Sequence, residues 1–193
     1  MATKALGMEV LHRIDPVGAT AGATFSRVEA IYREHGDTVA RWALRLGGPR
    51  VDAEDAVQEV FAVVAERLSG FRGDSKLTTW LYGITENVVR EHRRRESVAW
   101  WFARKTDGRE PGQPFGPSAP EVIAQREATD LLYRALDRMR EPYRTALILF
   151  ELEEMSGEQI AQLKGVRPAT VWVWLHRARA QLARELAKLA RGE

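Results

Sequence analysis

The chain has 193 residues and a formal net charge of +2, and 45% of its residues are hydrophobic. That hydrophobic fraction is typical of a globular protein with a packed core, and no apolar run reaches the length of a membrane span. The chain contains no cysteine, which excludes a disulfide framework and a thiolate zinc site. Its four histidines lack metal-ligand spacing, and its first residues lack the apolar segment of a signal peptide. We therefore expect a cytoplasmic protein without a metal or other cofactor.

The small net charge conceals a strong separation of acidic and basic segments. Residues 52–66 contain five acidic residues and no Lys or Arg. Residues 90–105 contain six basic and two acidic residues, and the segment from residue 164 to the end is also mainly basic. Separate acidic and basic surfaces indicate one protein partner and one polyanionic partner.

The first half of the chain is predicted to form three helices. Residues 1–24 are small and weakly patterned, and we expect them to form a disordered N-terminal extension. An apolar stripe then predicts a helix that ends at Gly47, and Asp52 is predicted to cap a second helix. After a Gly- and Ser-rich loop, a third helix is predicted to end near Arg95. Residues 25–96 are therefore expected to form one helical domain.

The second half begins with a segment rich in Pro and Gly, which is predicted to separate two domains. Seven of the residues in 105–120 are Pro or Gly, a density that disfavours both helix and central strand. We therefore expect a flexible linker over residues 97–120 and a second helical domain over residues 121–193. No segment shows the alternation of a strand. The predicted fold class is all-α, with two small helical domains.

The segment from Ser156 has the local signals of a helix-turn-helix. Ser156 is a good N-cap, and Gln159 completes a capping box. Gly165 can end the first helix in a left-handed conformation, and Pro168 suits the first turn of the next helix. An ordinary helical hairpin is the alternative, but it would not require all four signals together.

The second helix of this motif has an apolar inner face and a basic outer face. A helix held from behind with a basic outer face can enter a DNA major groove. Trp172 and Trp174 lie at the margins of the outer face. Its outward residues are Arg167, Thr170, Val173, His176, Arg177 and Ala180.

The third helix of the first domain also has a face that suits nucleic acid. The side opposite its apolar stripe carries Trp80, Gly83, Asn87, Arg90, Glu91 and Arg94. A Trp ring can stack on an unpaired base, Asn can hydrogen-bond a base edge, and Arg can bind phosphates. A solvated basic face, with the Trp ring inside the local core, is an equally good interpretation of this helix alone.

The second helix carries an acidic outer face that can dock a basic protein partner. A solvated face is the simpler alternative. The residues expected to form the docking surface are Asp55, Gln58, Glu59 and Glu66.

Signals of catalysis are absent from the sequence. It has no Gly-rich phosphate loop, no nucleophile elbow and no HExxH motif. The adjacent carboxylates Glu153 and Glu154 are predicted to lie at an exposed helix end. We therefore expect no enzymatic activity and no small-molecule substrate.

Together these segments resemble the extracytoplasmic-function (ECF) sigma factors of the bacterial sigma-70 family. Residues 52–61, residues 71–84 and Asn87 are similar to sigma region 2. Residues 142–152 and 156–182 are similar to sigma region 4. Two motif blocks in this order, joined by a linker, are far more specific than a helix-turn-helix alone.

The resemblance implies a role for each surface in transcription initiation. The acidic face would dock on the β′ clamp helices of core RNA polymerase, and region 4 would bind the β flap. Region 2 would capture a base flipped from the −10 element of promoter DNA, at the cost of a few kcal/mol of unstacking. The residues implied for −10 binding are Phe71, Arg72, Ser75, Lys76, Trp80, Asn87, Arg90, Arg93 and Arg94.

The resemblance further implies that the recognition helix reads the −35 element and that the linker threads through the polymerase. It also implies control by an anti-sigma factor, which can sequester such a protein at the membrane. The residues implied for −35 binding are Arg167, Thr170, Trp172, Val173, His176, Arg177 and Arg179.

The recognition helix departs from the family at one point. The family usually has a polar or basic stretch where this chain has Trp172, Val173 and Trp174. Apolar contact with thymine methyls is one explanation, because these side chains cannot make bidentate contacts to guanine. The other is that one Trp packs against the first helix of the motif or against an inhibitor. Trp174 is the better candidate for burial, since it lies three and four residues from Val171 and Ala178.

Two other classes of function remain open from the sequence. A free-standing helix-turn-helix regulator would bind palindromic DNA alone, as a dimer with half-sites one turn apart. An all-helical adaptor would not bind DNA at all. The acidic face and the long linker count against the regulator, and the basic C-terminal segment counts against the adaptor.

Overall fold

The computed structural model describes the backbone of residues 19–107 and 120–192 and the side chains of residues 25–96 and 122–192. Within these ranges there are seven α-helices and no strand, so the all-α prediction is confirmed. The chain divides into two compact units, Met1–Glu96 and Ser97–Glu193. Most of the predicted N-terminal extension and the Pro- and Gly-rich part of the linker lie outside the described residues.

The first unit is built on helices α1 (Ala19–Gly47) and α2 (Ala53–Arg67) and on helix α3 (Leu77–Asp107) as far as Glu96, with a 3₁₀ turn at Leu68–Gly70. Gly48 follows α1 with a positive φ of 77°, and its amide donates to the Leu44 carbonyl at 2.9 Å. Such a left-handed residue is a common end of a helix. The side chain of Asp52 accepts hydrogen bonds from the amides of Glu54 and Asp55, which confirms the predicted cap of α2.

The core of this unit is formed by the apolar stripes of the three helices. The Tyr32 ring meets Phe61 edge-on with centroids 4.8 Å apart, and Trp42 meets Tyr82 in the same way at 5.2 Å. Edge-to-face packing of this kind adds to the stabilisation from burial. The other buried residues include Val39 and Leu46 of α1, Val57, Val60 and Val64 of α2, and Leu81, Ile84 and Val88 of α3.

Two predicted boundaries of these helices were wrong. Helix α1 begins at Ala19, ahead of the predicted start of pattern at Phe25. Helix α3 continues to Asp107 and does not end near Arg95, so residues 97–107 of the predicted linker are helical. This stretch contains no Gly or Pro, and the first such residue after α3 is Gly108. Without a breaker, the helix continues.

The second unit contains α4 (Pro120–Asp137), α5 (Glu141–Glu151), α6 (Gly157–Lys164) and α7 (Pro168–Ala190). Helix α7 packs against the other three helices. Its inner residues Val171, Leu175 and Ala178 are fully buried. None of the described helices combines the length and apolarity that a bilayer span requires.

The Arg144 side chain is an unusual part of this core. It is only 1% exposed, and its Nη2 lies 3.6 Å from Oδ1 of Asp137 at the end of α4. A buried charge requires a partner of opposite sign. This ion pair therefore ties the end of α4 to the first turn of α5.

Candidate nucleic-acid and protein interfaces

The predicted helix-turn-helix is formed by α6 and α7. The Ser156 hydroxyl accepts a hydrogen bond from the Gln159 amide at 3.2 Å, and the Gln159 side chain accepts from the Ser156 amide at 2.7 Å. Gly165 ends α6 with a φ of 64°, and Pro168 opens α7. All four local signals predicted from the sequence are confirmed.

Helix α7 presents a largely exposed face opposite its buried stripe. Val173 is 46% exposed and Trp172 is 47% exposed, whereas Trp174 and Thr170 are half-buried. Four basic residues predicted for −35 binding are also exposed: Arg167, His176, Arg177 and Arg179. An exposed face with basic and apolar groups can contact both phosphates and base methyls.

Trp172 and Arg179 lie together at one edge of this face. The Trp172 ring meets Phe150 edge-on at 5.7 Å between centroids, and the Arg179 guanidinium lies 5.4 Å from the centre of the Phe150 ring. Arg179 also donates to Glu151 Oε1 at 2.8 Å. A Cβ on Gly157 would lie 2.9 Å from Cζ2 of Trp172. We name these five residues the aromatic edge.

The contacts of the aromatic edge show which of the two tryptophans packs against the first helix of the motif. Trp174 is the more buried of the two, as predicted. However, Trp172 is the one whose ring lies against the first helix of the motif, at Gly157. Phe150, Glu151 and Gly157 could not be predicted as part of this site from the sequence, because these contacts join residues that are far apart in the chain.

Arg177 lies at the opposite edge of α7, where it meets the start of α5. Its Nη1 donates to the Tyr143 hydroxyl oxygen at 3.3 Å, and Arg140 Nη1 approaches the same oxygen at 3.4 Å. The hydrogen bond from Arg177 and the charges of both guanidinium groups lower the pKa of Tyr143. A cleft of about 330 Å³ opens beside this group. Arg140 and Tyr143 were not predicted as site residues.

In the first unit, the predicted nucleic-acid face lies along α3. Asn87, Arg90 and Arg94 are exposed, and Trp80 is half-buried. Arg90 Nη2 donates to Asn87 Oδ1 at 2.6 Å, which leaves the Asn87 amide hydrogens to donate elsewhere. A Cβ on Gly83 would meet no atom within 4 Å, so this part of the face is open.

The basic side chains at the end of this face are not all equally exposed. Arg94 forms two hydrogen bonds with the Glu91 carboxylate, at 2.9 and 3.1 Å. These bonds lower the pKa of Glu91. Arg93 is half-buried. Arg90 is therefore a better phosphate ligand than Arg94, whose charge Glu91 offsets.

The loop before α3 is fixed to the helix by an aromatic pair. The rings of Phe71 and Trp80 are 4.9 Å apart and inclined by 35°. Arg72 is exposed and lies 3.6 Å from Asp74. Ser75 and Lys76 are also exposed. The loop therefore presents polar side chains beside a half-buried aromatic pair.

The predicted docking face on α2 is only partly free. Asp55 and Glu66 are exposed, and Gln58 is half-buried. Glu59 Oε2 is 2.8 Å from His92 Nε2 and 3.7 Å from Arg95 Nη1, both on α3. Glu59 thus joins α2 to α3 as well as facing outward. In the described part of the chain, no three His, Asp or Glu side chains are grouped as a metal site.

The comparisons with known proteins match these two units. A family model of sigma-70 region 2 matches residues 31–98, and a model of sigma-70 region 4 matches residues 129–182. The RNA polymerase sigma factor YlaC of Bacillus subtilis is 27% identical over 161 residues, which are 83% of this chain and 92% of that protein.

A second relative has a higher sequence identity over a shorter stretch, and one solved structure shares the fold. The ECF RNA polymerase sigma-E factor of Escherichia coli K12 is 31% identical over 149 residues, 74% of this chain and 78% of that protein. The sigma factor RpoE of Bartonella quintana, solved with the anti-sigma factor NepR, has a TM-score of 0.53 and 22% identity. That match covers 82% of this chain and 96% of the other.

Proposed function

Since the chain belongs to the extracytoplasmic-function sigma factors, we propose that its two units bind the two elements of a promoter and that α2 docks on the polymerase. The chain is an RNA polymerase sigma factor that acts in transcription initiation. The observation that carries the proposal is the order of the region 2 and region 4 matches along one chain. We assign residues 25–96 to region 2, 97–120 to the connection and 121–193 to region 4, with residues 1–24 as an extension.

The acidic face of α2 binds core RNA polymerase at the β′ clamp helices. The exposure of Asp55 and Glu66 supports this role. Gln58 and Glu59 lie on the same side of α2, because they are separated from Asp55 by three and four residues. Glu59 also contacts His92 of α3. This pair joins the docking face on α2 to the helix that carries the −10 face. Region 4 binds the β flap.

The face of α3 and the preceding loop bind the −10 element. Trp80 is half-buried against Phe71, and the exposed part of its ring stacks on an unpaired base of the melted region. Asn87 reads a base edge, and Arg90, Arg93 and Arg94 bind the backbone. The loop residues Arg72, Ser75 and Lys76 line the pocket for the flipped base.

The exposed face of α7 binds the −35 element in the major groove. Val173 and Trp172 contact thymine methyls, while Thr170 and His176 hydrogen-bond to bases or phosphates. Arg167 and Arg177 bind phosphates. Arg179 is held by Glu151 and lies over Phe150, so its contribution is chiefly to fix the aromatic edge, and a phosphate contact by Arg179 requires exchange of this ion pair.

The protein is controlled by an anti-sigma factor and acts in the cytoplasm, where RNA polymerase works. The neighbour from Bartonella quintana was solved with such a partner, which supports this part of the proposal. Sequestration at the membrane by an anchored anti-sigma factor fits the same scheme.

Run-off transcription tests the proposal. Purified full-length chain is mixed with core polymerase and a genomic fragment library, and transcripts are sequenced. We expect starts at a shared promoter sequence, and none with core polymerase alone. Specific binding to duplex DNA by the chain alone, without core binding or initiation, would instead indicate a free-standing helix-turn-helix regulator.

A further inference from the structure

We propose that Arg140, Tyr143 and Arg177 form a phosphate-binding cleft that holds the DNA backbone beside the −35 element. This inference rests on the proposed −35 binding by α7 and adds a second contact, made by the start of α5. The polar lining of the cleft consists of Arg140, Tyr143, His176, Arg177, Gln181 and Arg184.

The cleft carries an excess of positive charge. Arg140 and Arg177 both donate to the one Tyr143 oxygen, and the Arg140 guanidinium also lies 5.2 Å from the centre of the Tyr143 ring. Within the described residues, neither guanidinium forms an ion pair with an acidic side chain. Two cations held at one neutral oxygen repel each other, and an anion between them would relieve that repulsion.

The Tyr143 hydroxyl can still donate a hydrogen bond to a ligand in the cleft. Its oxygen accepts from both guanidinium groups, so its own proton remains to be donated. The lowered pKa of this hydroxyl makes it a stronger donor. A phosphate oxygen accepts hydrogen bonds from a phenol and from guanidinium groups together, and Arg binds phosphate in a bidentate way.

The cleft lies beside the exposed face of α7. His176 and Arg177 belong to the outward face that carries Val173, and Arg184 lies two turns further along the same side, about 10 Å away. Arg140 extends this basic surface from α7 onto the start of α5. A duplex lying against α7 would therefore bring one strand of its backbone to the cleft, since phosphate contacts normally flank the groove that is read.

The test measures holoenzyme binding to a duplex that carries the −35 element, at several salt concentrations. One phosphate contact contributes about 0.9 to the slope of log affinity against log salt. We expect Arg140→Gln to reduce the slope by about 1 and to weaken binding about equally for different −35 sequences. Arg134→Gln, an exposed arginine of α4, is the matched control and should leave the slope unchanged.

A scan with uncharged methylphosphonate linkages locates the contact. We expect one position flanking the −35 element at which the neutral linkage weakens wild-type binding several-fold but has little effect on Arg140→Gln. Tyr143→Phe should also reduce the effect of the neutral linkage at this position, although the substitution does not change the charge of the protein. The inference is overturned if Arg140→Gln behaves like Arg134→Gln, or if it weakens core polymerase binding and leaves DNA binding unaltered, which would make the cleft a contact for an acidic protein segment.

The two proposals can fail separately. A wild-type chain that supports no promoter-specific initiation would overturn the proposed function. A chain that initiates normally while Arg140→Gln has no effect on DNA binding would overturn only the phosphate cleft.

Discussion

A methyl group on Gly157 would lie 2.9 Å from Cζ2 of Trp172, so the indole occupies the space that any side chain at residue 157 would need. The glycine stands at the first turn of α6 and the Trp on the exposed side of α7. The pair therefore fixes the orientation of Trp172 in the face that we assign to the −35 element.

Gly157→Ala tests this relationship through stability. Overpacking at such a contact costs about 1–3 kcal/mol, so we expect a lower free energy of unfolding by urea denaturation of the full chain. In a Trp172→Ala background the added methyl has room, and Gly157→Ala should cost nothing. Gly83→Ala is the control, because open space surrounds that position and Ala should stabilise the helix by up to about 1 kcal/mol. Equal costs in both backgrounds would show that the indole does not fill the site.

Replacing thymine by uracil tests the contact between Trp172 and DNA. Uracil lacks only the methyl group, whose burial contributes about 0.8 kcal/mol, or roughly fourfold in affinity. We expect wild-type holoenzyme to lose this factor at one thymine of the −35 element, and Trp172→Ala to lose none at that position. Trp172→Phe should retain part of the effect. If Trp172→Ala remains as sensitive to uracil as wild type, another side chain contacts the methyl.

Trp80 should be required for strand opening more than for initial binding. Stacking of one base on an aromatic ring is worth about 1–3 kcal/mol, or roughly 5- to 150-fold. We therefore expect Trp80→Ala to reduce open complexes by a factor in that range, and Trp80→Phe to reduce them less. Permanganate reactivity of unpaired thymines measures the open complex, and helicity by circular dichroism controls for folding. If Trp80→Ala opens promoters normally, the Trp80 ring has no role in strand opening and serves only to pack on Phe71.

The local parts of the fold could be predicted from the sequence, whereas the contacts between distant residues could not. The caps at Ser156 and Gly165 were found because a cap depends on residues within one turn. Arg177 and Tyr143 are 34 residues apart, and Glu59 and His92 are 33 apart. Periodicity carries no information about such pairs. The interface residues were therefore predicted as exposed groups, without the partners that hold some of them.

Charge reversal on α2 tests the polymerase-docking face. We expect Asp55→Lys to weaken binding to core polymerase and to make that binding less dependent on salt, because an attraction between opposite charges becomes a repulsion. Glu66→Lys should act in the same direction. Asp37→Lys, which reverses an exposed carboxylate on α1, is the control for net charge. Fluorescence anisotropy of labelled chain with core polymerase measures the effect, and equal losses for Asp37→Lys and Asp55→Lys would show that no specific face is involved.

Titration of Tyr143 tests the group at the phosphate cleft in the free protein. Arg177 and Arg140 lower its pKa, whereas burial raises the pKa of Tyr32. We therefore expect Tyr143 to ionise before Tyr32 when tyrosinate absorbance is followed at alkaline pH, with Tyr143→Phe identifying the transition. Arg177→Gln should move this transition to higher pH, and an unchanged transition would mean that Arg177 does not reach the hydroxyl in solution.

The lowered pKa of Tyr143 also makes the free energy of unfolding depend on pH. The pKa of Tyr143 is lower in the folded than in the unfolded chain, so the ionised phenol favours the folded state. This contribution is complete above the unfolded pKa of about 10 and is lost as the pH falls through the folded pKa. Near neutral pH the phenol is protonated in both states and the contribution is absent. The difference in unfolding free energy between wild type and Arg177→Gln should therefore widen on going from neutral to alkaline pH, and a constant difference would contradict the assigned hydrogen bond.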